Sequence, residues 1–452
     1  MNYEEKVREI FEKREQPPLC YVHSYGCQQN VSDGEKITGI LCGLGCGVTV
    51  SRDEADIIVL NTCAVRENAE VKVYGHIGEL KRLKKENPGL IIIICGCMAE
   101  EEKTTVKLRQ SYPFVDILFG TSAMRELPRL LYEVLTEGKF VSDTACRNGE
   151  CFEGIDPVRT DSYKAGVSIM YGCNNFCSYC IVPYVRGRER SREPENIIEE
   201  IKGLAEGGCK EIMLLGQNVN SYGRGTAAGI DFPELLYRIN RIDGDFRIRF
   251  MSPHPKDAGR DFFNAVAECE KVCKSVHLPL QSGSDRILKE MNRGYTSERY
   301  MELVDYARSV MPGLSLTTDI IVGFPNETEE DFCDTLEIMK RVRYDNIFSF
   351  IYSKRSGTRA AAMEDRTPEG EKSERMQRLL TLQRQLAEEG YKRFEGRIFR
   401  VLFDGEYKGF ISGKSNEFII TLVKGERSLI GTMHDVRVTK THNWAVEGEI
   451  VG

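Results

Sequence analysis

The sequence has no segment that would suit a membrane-spanning or secreted protein. Its 452 residues open on a charged stretch without an apolar core segment, so we expect no signal peptide. The longest aliphatic run, at residues 90–95, is far shorter than the roughly 20 residues that cross a bilayer. Sixteen cysteines in such a chain indicate a cytoplasmic protein with reduced thiols, in which clustered cysteines bind metals rather than form disulfides.

An excess of basic residues is also missing. The formal net charge is −7 at pH 7, which argues against a surface coated in Lys and Arg. A local basic patch on an RNA-binding face is still compatible with this charge. The length allows two or three domains, each with its own core.

The most informative motif is a group of three cysteines at residues 173–180, and no second cysteine pair follows it that would complete a zinc site. Cys173, Cys177 and Cys180, the downstream cysteines, lie in the run Tyr171-Gly-Cys-Asn-Asn-Phe-Cys-Ser-Tyr-Cys. Three thiolates at this spacing can bind three irons of a four-iron cluster, whereas a cluster that only carries electrons normally has four cysteine ligands. An open iron can bind a small molecule, as the open position of a catalytic zinc does. The loop therefore predicts a catalytic cluster, and a zinc site or three unrelated thiols are the alternatives.

The first segment, residues 18–136, alternates short apolar strands with amphipathic helices. We predict an open parallel α/β domain with helices at 32–44 and 67–86 and strands at 19–24, 56–60, 90–94 and 115–119. Cys27, Cys63 and Cys97, the upstream cysteines, each follow one of the first three strands. Because the carboxyl ends of parallel strands share one edge of the sheet, these cysteines can meet in space. They predict a second three-thiolate site, and buried cysteines that act as small hydrophobic residues are the alternative.

The second segment, residues 159–390, follows a predicted linker at 137–158 and repeats a strand–helix unit. Six such units predict a partial (βα)6 barrel with its chemistry at the carboxyl ends of the strands. The downstream cysteines directly follow the first of these strands, which is where such a site should lie. The predicted strands are 165–170, 211–215, 247–251, 275–278, 314–322 and 346–350.

In the last segment, residues 391–452, the repeat of strands and helices is replaced by short strands. Short apolar runs separated by glycines predict a small antiparallel β-barrel, with strands at 397–403, 418–423 and 435–440. Barrels of this kind often bind oligonucleotides through one face. A structural appendage would show the same pattern.

An open-iron loop at the first strand of a βα barrel resembles the radical S-adenosylmethionine (SAM) superfamily. With the upstream cysteines and a C-terminal barrel that looks like a TRAM domain, the chain resembles the methylthiotransferase family over nearly its whole length. The branch that acts on N6-isopentenyladenosine in tRNA is most similar. The motifs that carry this resemblance are Gln217-Asn-Val-Asn-Ser-Tyr-Gly, Ser252-Pro-His-Pro, His277-Leu-Pro-Leu-Gln-Ser-Gly-Ser-Asp, Met291-Asn-Arg-Gly-Tyr-Thr and Tyr352-Ser-Lys-Arg-Ser-Gly-Thr-Arg-Ala-Ala.

The resemblance implies an enzyme with two 4Fe-4S clusters that uses two SAM molecules. SAM on the open iron of the downstream cluster would yield a 5′-deoxyadenosyl radical, which removes hydrogen from C2 of the adenine at position 37 of tRNA. The upstream cluster would carry or donate the sulfur of the methylthio group that joins C2. Gln29 stands where many relatives carry Met, which changes the surroundings of the upstream cluster and leaves its ligands intact.

Polar residues near other strand ends are expected to position SAM. They follow the second and fourth strands of the predicted barrel or lie on the fifth. Loop capping and core hydrogen bonds are their alternative roles. The four candidates are Gln217, Asn218, Ser282 and Asp319.

Arginines occupy every second position shortly after the downstream cysteines. If this segment is extended, all four guanidinium groups face one side, where we expect them to contact tRNA phosphates. A solvated run of charges is the alternative. The anticodon stem-loop base must be unstacked to react, as enzymes that act on bases require. The arginines are Arg186, Arg188, Arg190 and Arg192.

The remaining cysteines are not expected to bind a cluster. The family places its third upstream ligand in Gly-Cys-Met-Ala, which selects Cys97, so Cys95 is expected to pack inward. The pairs at helical spacing are expected to have no other soft ligand nearby and are interpreted as packing or incidental; they are Cys42 with Cys46 and Cys269 with Cys273. The sequence assigns no role to Cys146 and Cys151.

The nearest alternative function keeps this chemistry and changes the substrate to threonylcarbamoyl-adenosine in tRNA or to an aspartate of a ribosomal protein. An iron–sulfur RNA-binding or electron-carrier protein without catalysis is the alternative from another class. We expect tRNA and SAM as partners, no membrane, and a low-potential electron donor such as flavodoxin or ferredoxin. The sequence does not identify the sulfur source, the oligomeric state or the tRNAs that are modified.

Overall fold

The computed structural model describes residues 2–64, 67–144, 151–224 and 229–451. Within it the chain divides into two compact units. The first unit contains Met1–Thr160, Met170–Asn174 and Cys180–Arg190, and the second contains Asp161–Ile169, Asn175–Tyr179 and Ser191–Gly452. The domain boundaries predicted from the sequence, with a linker at 137–158 and a last domain from 391, are not tested by this division and stay a prediction.

The first unit is built on a parallel six-stranded sheet with the strand order β2-β1-β3-β4-β5-β6, as the alternation of strands and helices predicts. Its strands are β1 (Leu19–Ser24), β2 (Gly47–Val48), β3 (Ile57–Thr62), β4 (Ile91–Gly96), β5 (Ile117–Phe119) and β6 (Val141–Asp143). Its helices are α1 (Tyr3–Glu12), α2 (Gln28–Gly43), α3 (Glu67–Glu86), α4 (Glu102–Ser111) and α5 (Leu127–Glu137).

The central strands of this sheet are buried on both faces. Every residue of β3 and β4 is buried, which explains their nearly continuous aliphatic sequences. Alternate side chains enter two separate cores. Val59 and Ile93 pack in one core, and Ile58 and Ile92 pack in the other.

The second unit begins with six parallel strands that form two three-stranded sheets, β7-β10-β11 and β12-β13-β14. A bridge between Ile248 and Val272 connects β11 to the segment before β12, so the six strands follow one another in sequence order as in a partial barrel. The strands from this part of the chain are β7 (Lys164–Ser168), β8 (Met170–Tyr171), β9 (Arg190–Ser191), β10 (Glu211–Leu215), β11 (Arg247–Phe250), β12 (Ser275–His277), β13 (Ser315–Val322) and β14 (Asn346–Ile351).

Helices alternate with these strands, as the βα repeat predicts. A short ribbon of β8 and β9 interrupts the pattern around the downstream cysteines. The helices are α6 (Val182–Val185), α7 (Pro194–Glu206), α8 (Phe232–Asn240), α9 (Arg260–Glu268), α10 (Asp285–Glu290), α11 (Ser297–Val310), α12 (Glu329–Val342) and α13 (Glu369–Tyr391).

A closed five-stranded barrel follows α13, with the strand order β15-β16-β17-β19-β18. The prediction of a small barrel is confirmed, but one pair, β17 with β19, is parallel. An odd number of strands cannot close with every neighbour antiparallel, so one parallel pair is required. The strands are β15 (Ile398–Tyr407), β16 (Phe410–Ser415), β17 (Ile420–Val423), β18 (Met433–Thr441) and β19 (Val446–Ile450).

Two buried arginines of β11 join this barrel to the parallel strands. Arg247 donates to the Lys414 carbonyl at 3.0 Å, and Arg249 donates to the Asn416 carbonyl at 3.3 Å. Both pair with Glu211 of β10. Burial alone would raise the pKa of Glu211, but Arg249 and Arg247 lower it to about 2. This carboxylate therefore stays ionised and balances the two buried cations.

Candidate functional site

The upstream cysteines lie at the carboxyl ends of three neighbouring strands. Cys27 is the N-cap residue of α2, shortly after β1, and Cys63 and Cys97 directly follow β3 and β4. The Sγ atoms of Cys27 and Cys97 lie 3.7 and 4.0 Å from the same atom, Oδ1 of Asn30. Cys63 and Cys97 are buried and Cys27 is exposed. The structure therefore brings together the residues that the strand-end pattern selects.

Gly26 lets the loop that carries Cys27 approach Cys63 closely. Its φ of 105° belongs to the left-handed region, and a Cβ atom there would lie 2.5 Å from the Cβ atom of Cys63. A side chain at position 26 would thus push the two cysteine-bearing loops apart. The glycine of the Tyr-Gly-Cys motif is a geometric requirement of this arrangement.

Asn30 organises the loops around the upstream cysteines. Its Nδ2 atom donates to the carbonyls of Tyr25 and Thr62, both at 2.8 Å, so it ties the ends of β1 and β3 together. Its Oδ1 atom faces Cys27 and Cys97 and accepts a hydrogen bond from Arg186 at 2.7 Å. No motif in the sequence analysis singled out this asparagine.

Arg186 is a buried partner of the upstream site. Its guanidinium forms a 2.9 Å ion pair with Asp33, and its side chain is 6% exposed. Although burial alone would lower the pKa of Arg186, the nearby Cys97, Asp33 and Cys27 raise it. Burial raises the pKa of Cys97 to about 12, and Arg186 acts in the opposite direction. A permanent positive charge beside these thiols favours their anionic, metal-binding form.

The prediction that four alternate arginines share one face is therefore wrong. Arg186 and Arg192 are buried, and Arg192 pairs with Glu200 at 2.7 Å. The segment is not extended, because α6 ends at Arg186 and Gly187 takes a φ of 72°. Arg188 is exposed and Arg190 is half-buried, so an RNA contact by these two stays a prediction.

The downstream cysteines follow β8 on a tight loop. Cys173 and Cys177 are buried, and Cys180 is half-buried. Cys173 and Cys180 belong to the first unit, and Cys177 belongs to the second. Gly172 has a φ of 73°, and a Cβ atom there would lie 2.2 Å from the Arg188 carbonyl oxygen. The loop can therefore form only with glycine before the first cysteine.

Within the second unit, the Met291-Asn-Arg motif holds the segment that carries Cys177. Asn292 donates from Nδ2 to the carbonyls of Asn175 and Phe176 at 3.1 and 3.0 Å. The Met291 carbonyl accepts the Ser178 N–H at 2.9 Å. These bonds fix a backbone in which Phe176 has an unusual φ of 47°.

Two side chains approach the Cys177 sulfur itself. Nη1 of Arg293 lies 3.3 Å from Sγ, and Nε2 of His254 lies 4.0 Å from it. Both residues lie in motifs that carry the family resemblance, but the sequence alone indicates no role for either. Arg293 and Cys177 lie 116 residues apart in sequence, so no local pattern around Arg293 could have revealed their contact.

The residues expected to position SAM divide into two groups. Gln217 and Asn218 follow β10. Each has a buried side-chain oxygen, Oε1 and Oδ1 respectively, that finds no hydrogen-bond partner among the residues that the structure describes. Ser282 instead lies 3.5 Å from the Thr335 hydroxyl and accepts the Ser284 N–H, which fits loop capping. Asp319 of β13 lies 3.4 Å from Nε2 of His277. The unpaired oxygens of the first two suit a ligand that donates hydrogen bonds.

The other cysteines lie in packing environments. Cys95 is completely buried in a hydrophobic core of the first unit, and burial raises its pKa strongly. Cys20 lies beside Cys42 and Cys46, so that pair does have a third thiol nearby, and burial raises the pKa of Cys20 to about 12. Cys151 packs against the same core, and Cys146 lies outside the described residues. No three His, Cys, Asp or Glu side chains among the described residues are arranged to hold a single metal ion.

Comparisons with known families agree with this architecture. The model of the radical SAM superfamily matches residues 167–339, and that of the uncharacterized protein family UPF0004 matches residues 19–120. The radical SAM methyltransferase TsrM of Kitasatospora setae, solved with cobalamin and a 4Fe-4S cluster, has a TM-score of 0.56 at 16% identity over 76% of this chain and 77% of that one. The radical SAM enzyme OxsB has a TM-score of 0.54 at 13% identity over 76% and 54%. At these identities the likeness shows the fold alone.

The fold and the three-cysteine loop define a radical SAM enzyme. The chain is 47% identical over 448 residues to the tRNA-2-methylthio-N(6)-dimethylallyladenosine synthase of Clostridium tetani, covering 98% of this chain and 99% of that protein. It is 46% identical over 453 residues to the synthase of the same name from Clostridium beijerinckii, covering 100% of both. The chain therefore belongs to the tRNA-2-methylthio-N(6)-dimethylallyladenosine synthase family, the radical SAM methylthiotransferases that use SAM and 4Fe-4S clusters.

Family membership decides between the functions that the sequence left open. It confirms the predicted tRNA methylthiotransferase over the ribosomal-protein and non-catalytic alternatives. None of the helices in the described parts of the chain has the length and hydrophobicity needed to span a membrane.

Proposed function

We propose that the upstream and downstream cysteines each hold one 4Fe-4S cluster of this tRNA methylthiotransferase. The observation that carries the proposal is the approach of Cys27 and Cys97 to Oδ1 of Asn30, with Cys63 packed against the Gly26 loop that precedes Cys27. Three cysteines per cluster leave one iron of each without a protein ligand. When bound, the downstream cluster supplies an open iron for SAM and an electron for its cleavage, and the upstream cluster supplies or carries sulfur.

The residues of the chain prepare these sites for charged, electron-rich groups. Arg186 lies between Asn30 and Asp33 and compensates negative charge at the upstream site. Gln217 and Asn218 keep buried oxygens available for the hydroxyl and amino groups of SAM. Asp319 stays a candidate SAM contact, whereas the bonds of Ser282 favour a capping role.

The proposed reaction joins a methylthio group to C2 of N6-isopentenyladenosine at position 37 of tRNA. This base lies beside the anticodon, where single-stranded RNA allows a base to leave the stack. Arg188 and Arg190 are the remaining candidates for phosphate contacts after the downstream cysteines. We place the reaction in the cytosol and expect a low-potential flavodoxin or ferredoxin to supply the electron.

A deletion strain tests the substrate. Nucleosides from its tRNA should lack the 2-methylthio form of N6-isopentenyladenosine and accumulate the unmethylthiolated form, and the chain expressed from a plasmid should restore the product. A variant with alanine at all three downstream cysteines is the matched control and should restore nothing. Loss of a methylthio-threonylcarbamoyl nucleoside in place of the isopentenyl form would contradict the proposed substrate.

The C-terminal barrel presents an exposed aromatic pair that suits RNA bases. Tyr407 and Trp444 are 38% and 41% exposed, and their ring centroids lie 5.1 Å apart. The Lys408 ammonium lies 5.3 Å from the Tyr407 ring centroid and adds a positive charge. Bases stack on such rings with about 1–3 kcal/mol each. We therefore propose this surface as a tRNA contact.

Trp444 provides a direct test, because it is the only tryptophan in the sequence. Saturating tRNA should quench its fluorescence, and Tyr407→Ala should weaken tRNA binding about 5- to 150-fold, which corresponds to one stacked base. Ile398→Ala, an exposed apolar change on the same barrel, is the control and should leave binding unchanged. Unaltered fluorescence on a complex confirmed by gel shift would show that tRNA binds elsewhere.

A further inference from the structure

We propose that Arg293 and His254 are positioning residues that donate hydrogen bonds to the Cys177 thiolate and raise the reduction potential of the downstream cluster. This inference rests on the proposed role of Cys177 as a cluster ligand. The described contacts of all three residues lie within the second unit. The downstream cluster must be reduced before SAM can be cleaved, so its potential decides which electron donors can serve the enzyme.

Arg293 is built into the site by four separate partners. Besides Cys177, its guanidinium reaches the Tyr179 hydroxyl at 3.3 Å, the Pro279 carbonyl at 3.0 Å and the Tyr295 hydroxyl at 3.0 Å. Every arm of the planar group is therefore fixed. A lysine could keep the positive charge but could not satisfy this set of acceptors.

The surroundings of Arg293 call for an anion. The residue is only 4% exposed, and a buried cation is costly unless an opposite charge lies close to it. Its four described side-chain partners include no carboxylate. Cys177 is the partner that becomes a full anion when it binds iron. The geometry thus fits a guanidinium that balances a metal-bound thiolate.

His254 adds a neutral donor to the same sulfur. Its Nδ1 atom accepts the Lys256 N–H at 3.1 Å, so the ring proton is on Nε2, the atom that faces Sγ of Cys177. The ring also packs edge-to-face with Tyr295 at a centroid distance of 5.8 Å. His254 therefore presents a ring N–H towards this sulfur.

Hydrogen bonds and positive charge at a cluster sulfur stabilise the reduced state more than the oxidised state, because the reduced cluster carries one more negative charge. Removing either donor should lower the midpoint potential. The loss of Arg293, which removes a charge and a donor, should have the larger effect. The loss of the longer His254 contact should act in the same direction with a smaller amplitude.

The test is a potentiometric titration of the anaerobically reconstituted full-length enzyme, followed by electron paramagnetic resonance. The downstream signal is identified as the one that SAM perturbs. Arg293→Met should make reduction at least tenfold less favourable, a shift of about 59 mV for one electron. Arg293→Lys should fall between this variant and the native protein. Arg299→Lys, an exposed arginine of α11, is the control and should not change the potential.

His254 offers a second pair of variants with an internal control. Asn can accept the Lys256 N–H but does not reach Cys177, so His254→Asn should make reduction about threefold less favourable. Gln extends to the position of Nε2, so His254→Gln should stay closer to the native potential. If Arg293→Met loses iron, the midpoint potentials of Arg293→Lys, His254→Asn and His254→Gln test the proposal instead.

The proposal is overturned if those of Arg293→Met, Arg293→Lys and His254→Asn that retain about eight irons titrate within twofold of the native equilibrium. The assignment of Cys177 as a cluster ligand, on which the proposal rests, is tested separately by Cys177→Ala. If Cys177→Ala keeps both clusters and still cleaves SAM, Cys177 is not a ligand. The two failures are therefore distinguishable in one set of reconstituted proteins.

Discussion

Cys97→Ala should abolish methylthiolation of tRNA and leave the reductive cleavage of SAM intact. The substitution removes one of the two thiols that lie within 4.0 Å of Oδ1 of Asn30, at a position that is only 2% exposed. Outer residues of metal sites typically cost about 10- to 100-fold when removed, so the loss of a ligand should exceed 100-fold. Iron after anaerobic reconstitution should fall from about eight to about four atoms per chain.

Cys95→Ala is the matched control for this experiment. Cys95 lies two positions away at the end of β4, but its side chain packs in the hydrophobic core of the first unit. Its removal should cost about 1 kcal/mol of stability through a small cavity and leave the iron content near eight. If Cys95→Ala lost four irons and Cys97→Ala lost none, the assignment of the third upstream ligand would be reversed.

Cys177→Ala should abolish both SAM cleavage and methylthiolation. The downstream cluster would lose a thiolate, and Arg293 would lose the anion that faces it at 3.3 Å. About four irons should remain on the upstream cysteines. The measurement is the release of 5′-deoxyadenosine in the presence of SAM and a strong reductant, together with the iron content.

The comparison of the two cysteine variants is more informative than either variant alone. The upstream variant should separate SAM cleavage from product formation, whereas the downstream variant should lose both. Cys333→Ala, an exposed cysteine of α12, controls for the loss of a thiol in the second unit. A protein with one cluster that still makes the methylthio product would refute the division of labour between the two sites.

Sequence patterns predicted the regular structure well where a local rule applies. The strands at 19–24 and 211–215 and the helix at 67–86 have the predicted bounds. Buried parallel strands need continuous aliphatic runs, and such runs are visible without any knowledge of their neighbours. β2 and β6 were missed because strands of two or three residues leave no periodic pattern. β16 was missed because it has only two large apolar residues, Phe410 and Ile411, and these are adjacent rather than alternate.

The upstream and downstream cysteines were predicted because a local rule applies to them, whereas the orientation of the arginines was not. Their loops could be selected from the sequence because strand ends and short spacings are local features. The prediction for the arginine segment was wrong because it depended on the conformation of the backbone, which the sequence pattern does not determine. Its alternate spacing predicts one face only in an extended chain, and a helix end followed by a glycine with positive φ turned two of the four side chains into the protein.

The amino-acid sequence by itself determined the class of fold, the two sets of candidate cluster cysteines and the family of enzyme. These depend on periodicity, on spacing within short loops and on long motifs, all of which are written along the chain. Only the tertiary structure decided what surrounds each thiol: Asn30 and Arg186 at the upstream site, and His254 and Arg293 at Cys177. The contacts of His254 and Arg293 with Cys177, and of Arg186 with Asn30, join residues that lie 77 to 156 positions apart in sequence. Such groups become electrostatic neighbours only when distant segments of the chain pack together.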